Sequence, residues 1–167
     1  MSVPDFAAPG ALLDEGLCAF VAGGVSIGIG TRDADLRPHT VRAVGGRHDA
    51  GRIVLFVPCG QGAPVLRDIE ANGRIAVVFS SPSSHRTVQL KGRDAHVVPL
   101  EPDDRAIAFA YREALGRDLV SIGYPPGLVV PLLAGIEGPL AGVAFTPDEG
   151  FDATPGPRAG APLRGGA

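Results

Sequence analysis

The sequence predicts a mainly β protein, a small antiparallel barrel flanked by helices, and three observations carry that reading. Runs of alternating side chains recur at short intervals between Val25 and Thr146, most of them with one apolar face. Turn-forming stretches such as Arg32–Asp35 and Gly46–Gly51 punctuate those runs. Helical periodicity is confined to segments between or before them.

From Ala11 to Ala22, Leu13, Leu17, Phe20 and Val21 recur at helical spacing, and Gly23 and Gly24 supply a stop. Val25–Thr31 (VSIGIGT) alternates apolar residues with Ser and Gly, which suits a strand that another backbone or a flat ligand approaches closely. Arg37–Gly45 (RPHTVRAVG) is a second strand, with Val41 and Ala43 on one face and Thr40, Arg42 and Val44 on the other. Gly46–Gly51 closes a hairpin to a third, almost wholly apolar strand, Arg52–Val57, which Pro58 ends. Cys59–Pro64 (CGQGAP) reads as a small-residue loop leading into a helix over Ala63–Ala71, with Pro64 in its first turn and Asn72 and Gly73 at its end.

Arg74–Ser80 is apolar on both faces and is therefore a central strand. After the Ser81–His85 loop, Val88 and Leu90 alternate with Thr87, Gln89 and Lys91 on a fifth strand that runs on toward Pro99, one row packing and the other offering hydrogen bonds. Glu101–Leu115 reads as a helix with an Ile107, Tyr111, Leu115 stripe and Gly116 at its end. Ser121–Pro131 reads as a loop with one short helical piece near Val129–Leu133, and Leu140–Thr146 as the last strand. The expected organisation is one domain over residues 1–146, followed by a Gly- and Pro-rich segment, 147–167, that is either a disordered tail or an arm ordered by a neighbour.

Composition narrows the function classes. With 167 residues, 45% apolar and 20% charged, the chain is long enough to bury a core and is not a disordered polymer. A net charge of -3 without any basic block gives no electrostatic footprint for nucleic acid. No apolar run approaches the length of a membrane span, and no leader pattern opens the sequence, so no membrane role and a cytoplasmic location are expected. Cys18 and Cys59 are isolated and read as buried thiols. Lys91 is the only lysine, the other 14 basic residues being arginines.

The motifs of the common nucleotide folds, hydrolases and zinc proteases are absent. Gly28–Gly30 (GIG) lacks the third glycine and the following helix of a dinucleotide fingerprint and reads as a tight strand crossing. His39, His48, His85 and His96 lack the spacing of a helical metal site, so no metal is expected. His39 and His85 each sit beside an arginine-bearing strand, where contact with an anion and a purely structural role both stay open. One constellation is left: Arg42, the Gln61, Gly62, Ala63 run before a helix start, and Arg86, Thr87, Gln89 and Lys91. A helix start rich in small residues exposes backbone N–H groups to a phosphate, and an arginine fork adds paired hydrogen bonds. The alternative is that these are ordinary polar residues of a barrel surface. No catalytic acid or base emerges from the pattern.

The stretches RPHTVRAVG, RIVLFVP, VLRDIEANGRIAVVF and HRTVQLKGRDAHVV, spanning Arg37 to Val98, resemble the pyridoxamine 5'-phosphate oxidase-like, FMN-binding split-barrel family in their strand, strand, helix, strand, strand order. The FDATPGPRAG segment is similar to a C-terminal stretch of one bacterial branch. The resemblance implies a six-stranded antiparallel split β-barrel, a homodimer with FMN in clefts between the subunits, and an FMN-dependent oxidoreductase acting on a small-molecule substrate. It places Thr40, Val41 and Arg42 along the flavin and its phosphate, Val57 and Pro58 beside the ring, and Gln61, Gly62 and Ala63 in the phosphate loop. Thr87 and Gln89 would lie near the flavin from the partner subunit. The chain departs from the family where a Ser-Arg-Lys run commonly precedes the helix, since Gly62, Ala63 and Pro64 stand there. Arg42, Arg86 and Lys91 are the candidates to replace the missing charge. The departure keeps open a non-catalytic protein that holds flavin, haem, a deazaflavin or another planar ligand.

Overall fold

A computed structural model describes residues 12–132 and 134–163. The beginning of the expected first helix at Ala11, the expected end of the short helical piece at Leu133 and the last four residues lie outside them.

Two antiparallel sheets, not closed into a barrel, carry nine strands among the described residues. The first has the order β2 (Pro38–Arg42), β1 (Ser26–Arg32), β5 (Ile75–Ser80), β6 (Thr87–Gly92), β9 (Glu149–Asp152). The second has the order β3 (Gly46–Asp49), β4 (Arg52–Pro58), β8 (Leu140–Phe145), β7 (His96–Val98). Helices α1 (Glu15–Val21), α2 (Cys59–Asn72), α3 (Asp104–Ser121) and α4 (Pro126–Leu132) flank the sheets, with a 3-10 turn at Ala134–Glu137. No helix among the described residues is long and apolar enough to cross a membrane.

The strand count of six gives way to nine because Gly46–Asp49 is itself a strand, the fifth run divides between the two sheets and the tail adds one strand. In the Arg37–Gly45 run, Ala43 N–H still donates to Ile27 of β1 at 3.0 Å, while the next residue, Val44, donates to Phe56 of β4 at 2.9 Å. Gly45, at φ +136, completes this bend and passes against the Phe56 ring, where a Cβ would approach to 3.1 Å. The fifth run breaks at Gly92, where a Cβ would lie 2.7 Å from the Phe145 ring, so β6 stays in the first sheet and β7 enters the second. Gly46–Asp49, read as hairpin loop, is instead β3, and the turn itself falls at Ala50 and Gly51.

The segment after Pro147 pairs with the rest of the chain as far as Leu163. Glu149–Asp152 pairs with β6, and the chain folds back so that Leu163 N–H donates to Gly150 at 2.8 Å. Two helix readings also change. Helix α3 runs through Gly116 to Ser121, because Gly116 is where α4 crosses it: a Cβ there would come within 3.1 Å of Val129. Helix α2 begins at Cys59, so the expected CGQGAP loop is its first turns and Pro64 lies inside the helix.

The main core lies between the sheets and their helices. Ile27 and Ile29 of β1, Val77 and Phe79 of β5 and Leu90 of β6 point inward onto Leu55, Ile69, Leu115 and Phe145. A smaller cluster joins Val44, Phe56, Ala108 and Ile136 at the other end. Beside it, Arg47 of β3 binds the buried Asp104 at the start of α3 at 2.7 Å. Phe79 is fully buried on the central strand, so Phe79→Ala is expected to lower the stability by about 3–5 kcal/mol, read as a fall in the urea midpoint without a change of slope.

Candidate functional site

The inward rows of the first sheet dictate its outward rows. With Ile27 and Ile29 in the core, β1 presents Gly28 and Gly30 to the opposite face, and β5 presents Ala76 and Val78. The strand register then lines these up: Arg42, Gly28, Val78 and Gln89 form one row across β2, β1, β5 and β6, and Thr40, Gly30, Ala76 and Lys91 form the next. The result is a floor almost without side chains, walled by polar ones.

A cavity of about 580 Å³ sits on this floor, lined by Gly28, Ile29, Gly30, Ala76, Val78, Thr40, Val41, Arg42, Gln61 and Gln89. A Cβ at Gly28 would meet nothing within 4 Å, and one at Gly30 only the Ala76 carbonyl at 3.9 Å, so open space lies above both. The Arg42 guanidinium is held at one wall by a 2.6 Å hydrogen bond to Ser26 Oγ. Gln61 reaches the cavity from the first turn of α2, a turn that contains no acidic residue.

Helix α2 is tied to the sheet by a buried polar cluster. Asp68 accepts hydrogen bonds from Thr31 of β1 at 2.7 Å and from His39 of β2 at 2.8 Å. Burial alone would raise the Asp68 carboxyl. The Thr31 and His39 hydrogen bonds, with the charges of His39 and Arg67, outweigh it and hold the group below the usual carboxylate range. His39 therefore positions the helix rather than reaching an anion through this nitrogen. Beneath the Arg42 end lies Tyr111, whose phenol burial pushes well above its ordinary value, against the pull of Arg42.

Of the residues singled out from sequence, Thr40, Val41, Arg42, Gln61 and Gln89 meet in this cavity. Val57, Pro58 and Gly62 are buried and do not line it, and a Cβ on Gly62 would overlap Val57 Cγ1, so Gly62 sets how closely α2 approaches β4. Ala63 is half-buried on the same helix. The other three lie elsewhere on the sheet. Arg86 stacks over Phe20 of α1 at 4.2 Å, Thr87 shares a 2.8 Å hydrogen bond with Ser80, and Lys91 stands over Phe151 at 4.8 Å beside a second cavity. The glycine floor falls on the strand whose sequence left close approach of a backbone or of a flat ligand open, with Gly28–Gly30 read as a tight strand crossing; the signal for it was glycine at every second position of a strand whose alternate residues are isoleucine. A further cavity of about 610 Å³, between α3 and α4, is lined by Gly116, Val120, Pro126, Val129 and Val130 and holds none of these residues. Among the described residues no cluster of His, Cys, Asp or Glu could hold a metal ion.

No protein-family model matches the sequence, and no curated protein matches it. Solved structures do match the fold. HupZ of Group A Streptococcus superposes with a TM-score of 0.53 at 18% identity, over 89% of this chain and 99% of that one. A candidate pyridoxamine 5'-phosphate oxidase of Lactobacillus delbrueckii superposes with a TM-score of 0.50 at 16% identity, over 83% of this chain and 93% of its own.

Two outcomes follow from this geometry. Gly62→Ala is expected to cost about 1–3 kcal/mol by overpacking against Val57, measured as a lowered urea midpoint. Because the folded Asp68 carboxyl titrates below its unfolded value, it contributes stability above the unfolded pKa that is lost as pH falls through the folded one. Asp68→Asn should be less stable than the wild-type chain near neutrality by about 1–3 kcal/mol, with the gap closing in urea titrations repeated toward acid pH.

Proposed function

Because the chain folds as a pyridoxamine 5'-phosphate oxidase-like split barrel, we propose that it is a flavin-binding oxidoreductase that holds FMN on the glycine floor of the first sheet. The observation that carries the reading is the pairing of open space above Gly28 and Gly30 with polar walls at Thr40, Arg42, Gln61 and Gln89. A planar ring fits a floor that has no side chains to displace, and a volume of about 580 Å³ lies within the range of cofactor sites. Arg42 and the backbone N–H groups of Gly60 and Gln61, in an α2 turn free of acidic residues, are suited to the phosphate. When bound, the isoalloxazine supplies hydride transfer, and the protein supplies orientation and hydrogen bonds.

Within that reading each remaining residue has a task. Val41 backs the floor, while Val57, Pro58, Gly62 and Ala63 set the position of α2 and so of Gln61. Gln89, on the far wall, offers an amide to the polar edge of the ring. The cavity is open on the side away from the sheet, and a second copy of this face in a homodimer would cover it, exclude water and leave room for a small-molecule substrate. Thr87 and Lys91, on the same outward face of β6, would then face the partner, while Arg86 stays against Phe20 of α1.

A second reading rests on one specific observation: among the described residues, Arg42 is the only cation lining the cavity, and α2 places none there. A protein so equipped could hold flavin, haem or a deazaflavin without turning over a substrate. Purified protein that is yellow and releases FMN on denaturation supports the first reading; colourless protein that ignores micromolar FMN and yields a Soret band with haem supports the second. Arg42→Ala should weaken FMN by about 1.5–3 kcal/mol, the worth of a charged hydrogen bond. Gly28→Val should abolish FMN binding at an unchanged urea midpoint, since its side chain enters open space. Retained binding would move the flavin off the floor.

A further inference from the structure

The outward face of the first sheet does not end at the glycine floor. A second cavity, of about 430 Å³, adjoins the first and shares Gly30 and Ala76 with it. Its walls are Arg32, Arg74, Lys91 and Arg93, with Glu149 the one carboxylate among the lining residues.

The placement of these cations follows from the register. The pairs Gly30 with Ala76 and Ala76 with Lys91 make one row, and continuing by two residues sets Arg32, Arg74 and Arg93 side by side at the ends of β1, β5 and β6. Like charges directly opposite each other on neighbouring strands are destabilising. Part of the charge is answered within the chain: Arg93 binds Glu149 at 2.8 Å and lies 3.4 Å from Asp148, and Lys91 is 3.9 Å from the same Glu149. The rest is not. Arg32 donates only to the Asp33 carbonyl, at 3.3 Å, and Arg74 is bonded through its backbone N–H to Asn72, so neither has a carboxylate partner among the described residues. Among the described residues, Arg32 and Arg74 therefore bring two guanidinium groups without a carboxylate partner to a concave site that opens onto the floor.

We infer that this second cavity is an anion subsite that takes a phosphate or carboxylate group of the molecule meeting the cofactor, so that the substrate is an anion. The inference deepens the flavin reading and rests on it for the word substrate. The subsite itself rests on the arginine row alone. It lies at the C-terminal end of α2, where Asn72 donates to the Arg32 carbonyl at 2.9 Å, and away from Arg42 and the first turn of that helix, so the group it takes is not the one held there. An arginine pair presents donors that match the geometry of either oxyanion.

The test is calorimetric titration of the full-length wild-type chain with pyrophosphate and, separately, with citrate, and the same titrations on the double variant Arg32→Glu, Arg74→Glu. Wild-type binding that falls at least about tenfold in the double variant is expected, and the tighter of the two probes identifies a phosphate or a carboxylate. FMN titrations of the same proteins separate the two proposals. The double variant should keep FMN affinity within about twofold, and Arg42→Ala should keep the pyrophosphate or citrate affinity. Wild-type protein that takes FMN but neither anion, or a double variant that binds the anions unchanged, overturns the subsite. A double variant with intact folding that loses FMN overturns its assignment to a second molecule. Anion binding that persists in a protein unable to take FMN overturns the flavin reading alone.

Discussion

Strand β1 is the constraint on which both the core and the cavity depend. Its alternation sends Ile27 and Ile29 inward, where both are essentially fully buried, and leaves Gly28 and Gly30 on the other face. Apolar burial of roughly 1.5–3 kcal/mol for each isoleucine fixes the register, because a slip of one residue would put both in water and turn the glycines into the core. The same energy thus holds the floor flat. Isolated glycines weaken a strand, and β1 tolerates two because it is paired on both sides, to β2 and β5 along most of its length.

The walls follow from how the two sheets share strands. Since the Arg37–Gly45 run leaves the first sheet within a single residue, after Ala43, only Pro38–Arg42 remains beside β1, and Thr40 and Arg42 become an edge that stands above the floor. The opposite edge is lengthened instead. Strand β9 adds Glu149 and Phe151 beyond β6, and these two residues engage Lys91 by charge and by its ammonium over the ring. Helix α2 closes the remaining side, held at the right height by the tight Gly62 contact and by the Asp68 cluster with Thr31 and His39. Rigidity at the site therefore comes from groups packed outside the lining of the cavity.

Much of this was legible in the sequence because alternation reports faces directly. The inward Val88 and Leu90, the outward Thr87, Gln89 and Lys91, and the central place of the Arg74–Ser80 strand all follow from period two alone. Strand division was not legible. The bend at Gly45 needs only one permissive residue, and the end of β6 at Gly92 only a residue small enough to pass Phe145, and neither glycine differs in sequence from those that leave a strand unbroken. The strand within the tail was not legible because glycine and proline content leaves disorder and an ordered arm equally open, whereas Glu149–Asp152 is fixed by the free edge of β6, a tertiary effect. Gly116 was misread as a stop for the same kind of reason: it is small so that α4 can cross. In the site, the polar walls were visible as residue types, and the separation of Arg86 and Lys91 from Arg42 became apparent only with the register.

The central claim is that a planar cofactor lies on the outward face of β1. Backbone amide chemical shifts recorded during addition of FMN test it most directly. The account predicts that Gly28, Gly30, Thr40, Ala76 and Gln89 move together and saturate at one stoichiometric equivalent for each chain. Shifts confined to the groove between α3 and α4, around Gly116 and Val129, or no shifts on β1 at saturating FMN, would contradict it.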